Sequence, residues 1–234
     1  MSQYYLQPYV HLCVDAQAAI LLDLRNDAYI GLDKRQLQAL RHFVRGLHAG
    51  GQSWLDEAER KDALGFAETL VAKGLLTTDS ATGKEATPIP AKRVEFALVD
   101  RYTEEPSAVR LRHVVRFLIA CVVIQFSLKW RGLDKTVARI RRRKAEAKSR
   151  ARAELRPLIV AFQYIRPFVY TFQERCLFDS LVLTEYLAAF GVFPTWIIGV
   201  QIKPFAAHDW VQEDHAILNS DPAFARRFLP ILSI

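Results

Sequence analysis

The chain has 234 residues, 51% of them hydrophobic and 24% charged, a balance that excludes a disordered or low-complexity protein. Its net charge of +7 lies entirely in residues 134–156, which hold ten basic and three acidic side chains. The odd number of cysteines, three, argues against a disulfide framework and favours a reducing compartment. Since no secretory pattern opens the sequence, we expect a cytoplasmic protein.

The first 80 residues predict a small sheet packed on helices. Short apolar runs at 11–14, 19–22 and 28–31 alternate with turn-forming residues, which indicates an antiparallel three-stranded meander. Asp33 and Gln36 then have the spacing of a capping box that opens a helix.

Glycines are expected to end the helices of this first unit. Gly50 and Gly51 follow the first helical stripe, and a further helix is predicted from Ser53 to Gly74. Residues 81–106, which begin within a stretch rich in Thr, Ser, Gly and Pro, are predicted to link this unit to a second one at 107–234.

The second unit is predicted to begin with helices. A helix over 109–130 is expected to be largely buried, because its most apolar run, 117–126, is shorter than the about 20 residues of a membrane span. The charged helix 133–155 follows, and we interpret its basic residues as a solvated face. A helix at 176–190 and strands at 195–202, 205–212 and 216–219 complete an α+β fold.

Cys176 is the strongest candidate for chemistry. It stands at the first turn of its predicted helix, where the positive end of the helix dipole favours the nucleophilic thiolate. The competing interpretation is a buried, inert cysteine. The strand with His208 and the hairpin that returns through Asn219, Ser220 and Asp221 favour the nucleophile, because thiol acyl transfer needs a base and an orienting group.

Metal and nucleotide chemistry find no support in the residue pattern. The other histidines lack the spacing to Cys, Asp or Glu that a metal site requires, and no Gly-rich loop is typical of a nucleotide site. The sequence therefore predicts an enzyme without metal or cofactor.

Several motifs resemble the leader peptidases of lasso-peptide biosynthesis. They are RCLFDSL at 175–181, IGV at 198–200, PFAAH at 204–208, WVQ at 210–212, LN at 218–219 and FLPIL at 228–232. The first unit is similar to the winged-helix recognition element of ribosomal peptide pathways, which has a three-stranded sheet and three helices. The resemblance implies a recognition element fused to a transglutaminase-like, papain-like cysteine protease domain.

By this resemblance, the protein hydrolyses the leader–core peptide bond of a ribosomal precursor. Cys176 would attack the carbonyl, His208 would act as base and then as acid, and the backbone N–H of Cys176 would stabilise the oxyanion. The precursor and a separate ATP-dependent, asparagine-synthetase-like cyclase are the implied partners. The basic helix would then be a solvated face, or would also contact an acidic surface of the cyclase or precursor.

The same resemblance places the leader along the third strand and the third helix. It would add to the sheet edge as a further strand, with Ala28, Tyr29, Ile30, Leu64 and Ala67 as predicted contacts. Ordinary core packing is the alternative for each of these residues.

The third catalytic residue depends on strand register. The family usually has Asn-Asp where this chain has Asn219-Ser220, so the Asp position holds serine. If Gln212 pairs with Ala216, His208 faces Ser220, and a turn one residue shorter brings it to Asp221. We favour Asp221, since a carboxylate both orients imidazole and stabilises imidazolium, with Asn219 and Ser220 as alternatives.

Two other functions compete with this prediction. The first is a transglutaminase-like hydrolase or transamidase that acts on another peptide. The second is nucleic-acid binding, which the basic run at 139–144 would suggest. It is disfavoured because acidic residues outnumber basic ones in residues 1–80, where a winged helix would dock.

Overall fold

The computed structural model describes residues 3–16, 18–47, 56–87, 89, 91–99, 109–147, 154–171 and 175–234. The chain divides into two compact units, residues 1–89 with 202–204 and residues 90–201 with 205–234. Both contain helices and strands, so the fold is of the mixed α+β class.

The first unit contains the predicted meander. Its strands are β1 (Tyr5–Leu6), β2 (Val10–Val14), β3 (Ala19–Asp23), β4 (Ala28–Leu32) and β5 (Leu76–Thr77), and its helices are α1 (Lys34–Phe43) and α2 (Glu57–Ala72). Strands β2, β3 and β4 pair antiparallel in that order, while β1 pairs with β5. The meander prediction is confirmed.

Capping sets where these helices begin. Asp33 and Gln36 form the predicted capping box of α1, and Asp56 and Glu59 form a second one at α2. Helix α1 ends at Phe43, well before the predicted glycines, because Val44 takes an extended backbone. Ser53, Gly50 and Gly51 lie outside the described residues. The structure describes two helices in this unit, and the winged-helix assignment with three stays a prediction.

Part of the predicted linker packs into the first unit. The backbone N–H of Lys84 donates to the carbonyl of Leu6 at 2.9 Å, and the reverse bond has the same length. Ala86 is buried in the core of this unit. The first residues of the predicted linker, up to Ala86, are therefore part of the folded first unit.

The second unit packs helices against a five-stranded sheet. Its elements are β6 (Phe96–Ala97), α3 (Leu111–Arg131), α4 (Leu133–Glu146), α5 (Leu155–Ile165) with a 3₁₀ turn over Arg166–Phe168, α6 (Cys176–Ala188), β7 (Thr195–Gln201), β8 (Ala206–Glu213), β9 (Ala216–Ile217), α7 (Pro222–Ala225) and β10 (Leu229–Ser233). The strand order is β10-β7-β8-β9-β6, antiparallel except for the parallel pair β6 and β9.

Helix α3 differs from its prediction. Its bounds agree, but its apolar residues lie largely at the surface: Val122 is 68% exposed and Trp130 is 67% exposed. Only Phe117 and a few others face the interior. The prediction of a largely buried helix is therefore wrong, because α6 and the other neighbours cover one face only. By length and composition alone, α3 could cross a membrane.

The basic helix α4 is not wholly solvated. Glu185 of α6 accepts hydrogen bonds from Arg139 at 2.7 Å and from Arg143 at 2.5 Å, and its side chain is only 13% exposed. Two of the basic side chains thus hold α4 to α6, which corrects the interpretation of a purely solvated face.

Candidate active site

Cys176 is the first residue of α6, as the sequence predicted. It is half-buried, and α6 packs against strand β8. The thiol Sγ lies 3.6 Å from Oδ2 of Asp209, to which it donates a hydrogen bond. The carboxylate of a β8 residue is therefore the thiol's immediate neighbour.

This environment keeps the thiol protonated. Burial raises the pKa of Cys176, and the negative charge of Asp209 raises it further, while backbone N–H groups of Asp209 and Leu177 act in the opposite direction. The expected lowering of the pKa by the helix N-terminus is outweighed here, so the thiolate prediction does not hold for this arrangement.

His208 projects from the other face of β8. Side chains alternate along a strand, so residues 208 and 209 point in opposite directions. The His208 ring stacks on Trp210 with centroids 6.0 Å apart, contacts Phe224 at 4.9 Å, and has its Nε2 2.7 Å from the Ser220 hydroxyl. Burial lowers the pKa of His208 to about 4, which leaves the imidazole neutral at pH 7.

The structure therefore pairs the two predicted catalytic residues with other groups. Asp209 contacts the Cys176 thiol, and Ser220 contacts the His208 ring. A thiol–imidazole contact is not among the interactions found between the described residues. Asp209, which the sequence reasoning left out, is the additional group in contact with the thiol.

The candidate residue that lies beside the His208 ring is Ser220 and not Asp221. Gln212 pairs with Ile217, so the hairpin has the shorter of the two turns considered above. Strand β9 ends at Ile217, however, and the pairing does not continue to residue 221. Asp221 caps α7 instead, accepting the Phe224 N–H at 2.8 Å. The preference for Asp221 as the partner of His208 is wrong in this structure, because the chain turns into α7 there.

Asn219 joins α6 to β8. Its amide Nδ2 donates to Asp179 and to the Ser180 hydroxyl, each at 2.9 Å, and its Oδ1 accepts the Val211 N–H at 2.9 Å. Through these bonds Asn219 positions β8 against the helix that carries Cys176. The hydrogen bonds of Asn219 do not involve His208.

A buried ion pair supports the start of α6. Asp179, with 0% exposure, accepts two hydrogen bonds from Arg166 at 3.1 Å and one from the Tyr170 hydroxyl at 3.0 Å. The sequence reasoning missed this network. The signal for it was the pair Asp179-Ser180 between the apolar runs of α6, since buried polar groups need partners.

Residues 118–233 match the family model of the transglutaminase-like superfamily. The second unit carries a transglutaminase-like domain. No curated protein and no solved structure matches the chain. The match runs from α3 to β10 and includes Cys176, His208 and Asp209. It confirms the transglutaminase-like part of the sequence prediction and assigns this unit a fold of the cysteine protease and transamidase type.

The predicted leader contacts lie outside the transglutaminase-like domain, in the first unit. Ala28, Tyr29 and Ile30 are half-buried on β4, which is at the edge of the described sheet. Leu64 is half-buried and packs on the core. Ala67 is fully buried at 0% exposure, because it lies on the face of α2 that packs into the core. Its prediction as a leader contact is therefore wrong.

Metal ligands do not cluster in the described parts of either unit, where no group of three or more His, Cys, Asp and Glu could hold an ion.

Proposed function

We propose that this protein is a cysteine peptidase that cleaves the leader from a ribosomally made precursor peptide. The observation that carries the proposal is the position of Cys176, half-buried at the first turn of α6 and beside the β8 residue Asp209 within a transglutaminase-like domain. The lasso-peptide assignment rests on the sequence motifs around these residues.

The proposed reaction runs through a thioester. His208 accepts the Cys176 proton, the thiolate attacks the carbonyl carbon at the leader–core junction, and the peptide C–N bond breaks as the amine of the core takes the proton. Water, deprotonated by the same imidazole, then hydrolyses the thioester and frees the leader carboxylate. The N–H of Cys176 is proposed as an oxyanion donor.

In this proposal, the contacts of Cys176 and His208 are those of the enzyme without substrate. The thiol is protonated against Asp209, and the neutral imidazole is bound to Ser220. Proton transfer requires the two groups within hydrogen-bond reach, a geometry that often forms only with substrate bound. In the structure His208 and the thiol lie on opposite faces of β8, and the His208→Ala and Asp209→Ala variants below decide which group receives the thiol proton.

Leader recognition is proposed for the first unit. Strand β4 has only β3 as its neighbour in the described sheet, and an extended peptide can pair with such an edge. The half-buried side chains of Ala28, Tyr29 and Ile30 would then line the added strand. Saturable binding of a labelled leader by residues 1–89 tests this part separately from cleavage.

The decisive experiment is mass spectrometry of a candidate precursor peptide, taken from the reading frames next to this one, after incubation with the purified protein. The expected products are intact leader and free core, and Cys176→Ala should abolish them while leader binding persists. Unchanged cleavage by Cys176→Ala would exclude the thiol as nucleophile. Products with a new amide bond in place of hydrolysis would assign the protein to the transamidases instead.

Comparing three variants tests the proposed base. We expect His208→Ala to lower cleavage at least about a hundredfold, the usual contribution of a general base. Ser220→Ala should have a smaller effect, because the serine touches the imidazole only. Activity that survives His208→Ala and disappears in Asp209→Ala would give the role of base to Asp209 and overturn the assignment.

The proposed partner is an ATP-dependent cyclase that consumes the free core amine. Repeating the assay with and without that cyclase and ATP tests the partnership. Faster release of leader in its presence would support a coupled reaction, whereas identical rates would leave the peptidase acting alone.

A further inference from the structure

Helix α3 presents a continuous apolar stripe to solvent. The stripe consists of Leu111, Val115, Leu118, Val122, Phe126 and Trp130, with Ile119 beside it, and each is between 44% and 78% exposed. Their spacing of three and four residues puts them on one helix face. At about 1.5 Å per residue the stripe is roughly 29 Å long. Exposed apolar surface of this extent marks an interaction site.

Cations lie near the two ends of the stripe. Arg112 and Arg116 flank its N-terminal half, and Lys129 and Arg131 stand at its C-terminal end, all of them exposed. Residues 109–131 contain no Asp or Glu. Whatever covers the stripe must therefore offer an apolar interior together with negative charge at its border.

The C-terminal end of α3 combines aromatic and cationic groups. The rings of Phe126 and Trp130 are 6.0 Å apart, and the Lys129 ammonium lies 5.5 Å from the Trp130 ring. A groove of about 340 Å³ beside them is lined by Val122, Phe126 and Arg131 among others. Tryptophan residues with neighbouring lysine and arginine are typical of helices that lie at the headgroup level of a bilayer.

The opposite face of α3 excludes a helix that spans the bilayer within this fold. His113 and Ser127 are buried there, and Ser127 shares a 2.8 Å hydrogen bond with Thr136 of α4. Because that face packs into the domain, the helix can lie only along a surface, with its outer stripe inserted.

Self-association through the stripe is disfavoured by charge. Two copies packed through α3 would bring Arg112, Arg116, Lys129 and Arg131 of one molecule against the same four cations of the other, with no acidic side chain of the helix between them.

We propose that the exposed face of α3 docks this protein on an anionic membrane surface, with the stripe inserted among the acyl chains and the bordering cations at the lipid phosphates. This inference does not depend on the proposed peptidase activity.

Vesicle flotation of the full chain tests the proposal. We expect binding to phosphatidylcholine vesicles that contain about 30% phosphatidylglycerol, and at least about tenfold weaker binding to pure phosphatidylcholine, because each bordering cation gains from anionic lipid. Raising the salt concentration should weaken the bound state. Failure to bind the anionic vesicles, or equal binding to both kinds, would overturn the proposal.

A matched pair of variants locates the surface. Val122→Glu combined with Phe126→Glu should reduce vesicle binding at least about tenfold, since two inserted side chains become charged. Phe96→Glu is the control, because Phe96 is exposed to a similar degree, 53% against 59% for Phe126, but lies on β6. Equal losses in both would overturn the proposal, as would a dimer that only the double variant abolishes.

Discussion

Helices α3 and α6 share an apolar composition and differ in what they bury. Helix α6 is enclosed along Asp179–Leu187 and buries the polar side chains Asp179, Ser180 and Thr184. Helix α3 turns Val122, Phe126 and other large apolar side chains to solvent and buries His113 and Ser127. Hydropathy alone therefore does not decide which face goes inside. The neighbours of each face decide it. A buried polar group is stable when it is hydrogen-bonded, and an apolar group stays at the surface when no other element packs against it.

The largest effect is expected at the buried pair of α6. Asp179→Ala removes the buried carboxylate that binds the Arg166 guanidinium, which is 4% exposed, and we expect the free energy of unfolding to fall by about 3–5 kcal/mol. Urea unfolding followed by circular dichroism measures this. The control is Asp221→Ala, which removes only an exposed helix cap and should cost about 1 kcal/mol. Equal costs in the two variants would contradict the structural role of the pair.

A smaller loss is expected where α6 holds α4. Glu185→Gln removes the charge that binds Arg139 and Arg143, whose side chains are 19% and 33% exposed. Because water screens part of this interaction, we expect a loss of about 1–2 kcal/mol in the free energy of unfolding. A double-mutant cycle with Arg143→Gln gives the coupling energy, and a value near zero would show that the contact contributes nothing.

The cysteines of the two helices provide a comparison by reactivity. Asp209→Asn removes the negative charge beside Cys176, so the pKa of that thiol should fall and its alkylation by iodoacetamide at pH 7 should rise about two- to tenfold. Cys121 of α3 is the internal control, since burial and then Asp179 raise its pKa to about 11. Peptide mapping separates the two sites, and an unchanged rate at Cys176 would contradict the assigned cause.

The smallest effect on stability is expected on the exposed face of α3. Phe126→Ala should change the free energy of unfolding by no more than about 0.5 kcal/mol, as for other surface substitutions. Phe117→Ala, the same change on the inner face, should cost about 3–5 kcal/mol because Phe117 is 0% exposed. Thermal unfolding of both variants measures the contrast, and similar losses would mean that the stripe is covered.

Local signals in the sequence were sufficient for much of the fold. The meander, the Asp33 capping box and the start of α6 at Cys176 follow from spacing of at most four residues, and the structure has all three. Strand β7 lies within its predicted range, and β8 agrees with its range to within one residue at each end. Alternation and capping are decided by near neighbours, which a single sequence contains.

The contacts of the site depend on distant residues, which is why they were harder to predict. The Arg166–Asp179 pair joins residues 13 positions apart, and the Asn219–Asp179 bond joins residues 40 apart. The preference for Asp221 relied on a register that stops at Ile217, where β9 ends. The face of β8 that meets α6 is likewise a matter of tertiary packing, so the sequence left Asp209 unassigned.

The short strand β6 has a practical consequence for dividing this chain. Phe96 and Ala97 pair with β9, Val94 is buried, and the carbonyl of Lys92 accepts a hydrogen bond from Gln212. A fragment of the second unit that starts at residue 107 would lose this strand and leave the β9 edge open to other chains, which favours aggregation. A fragment that starts at residue 90 keeps the sheet closed on that side and is the one to express.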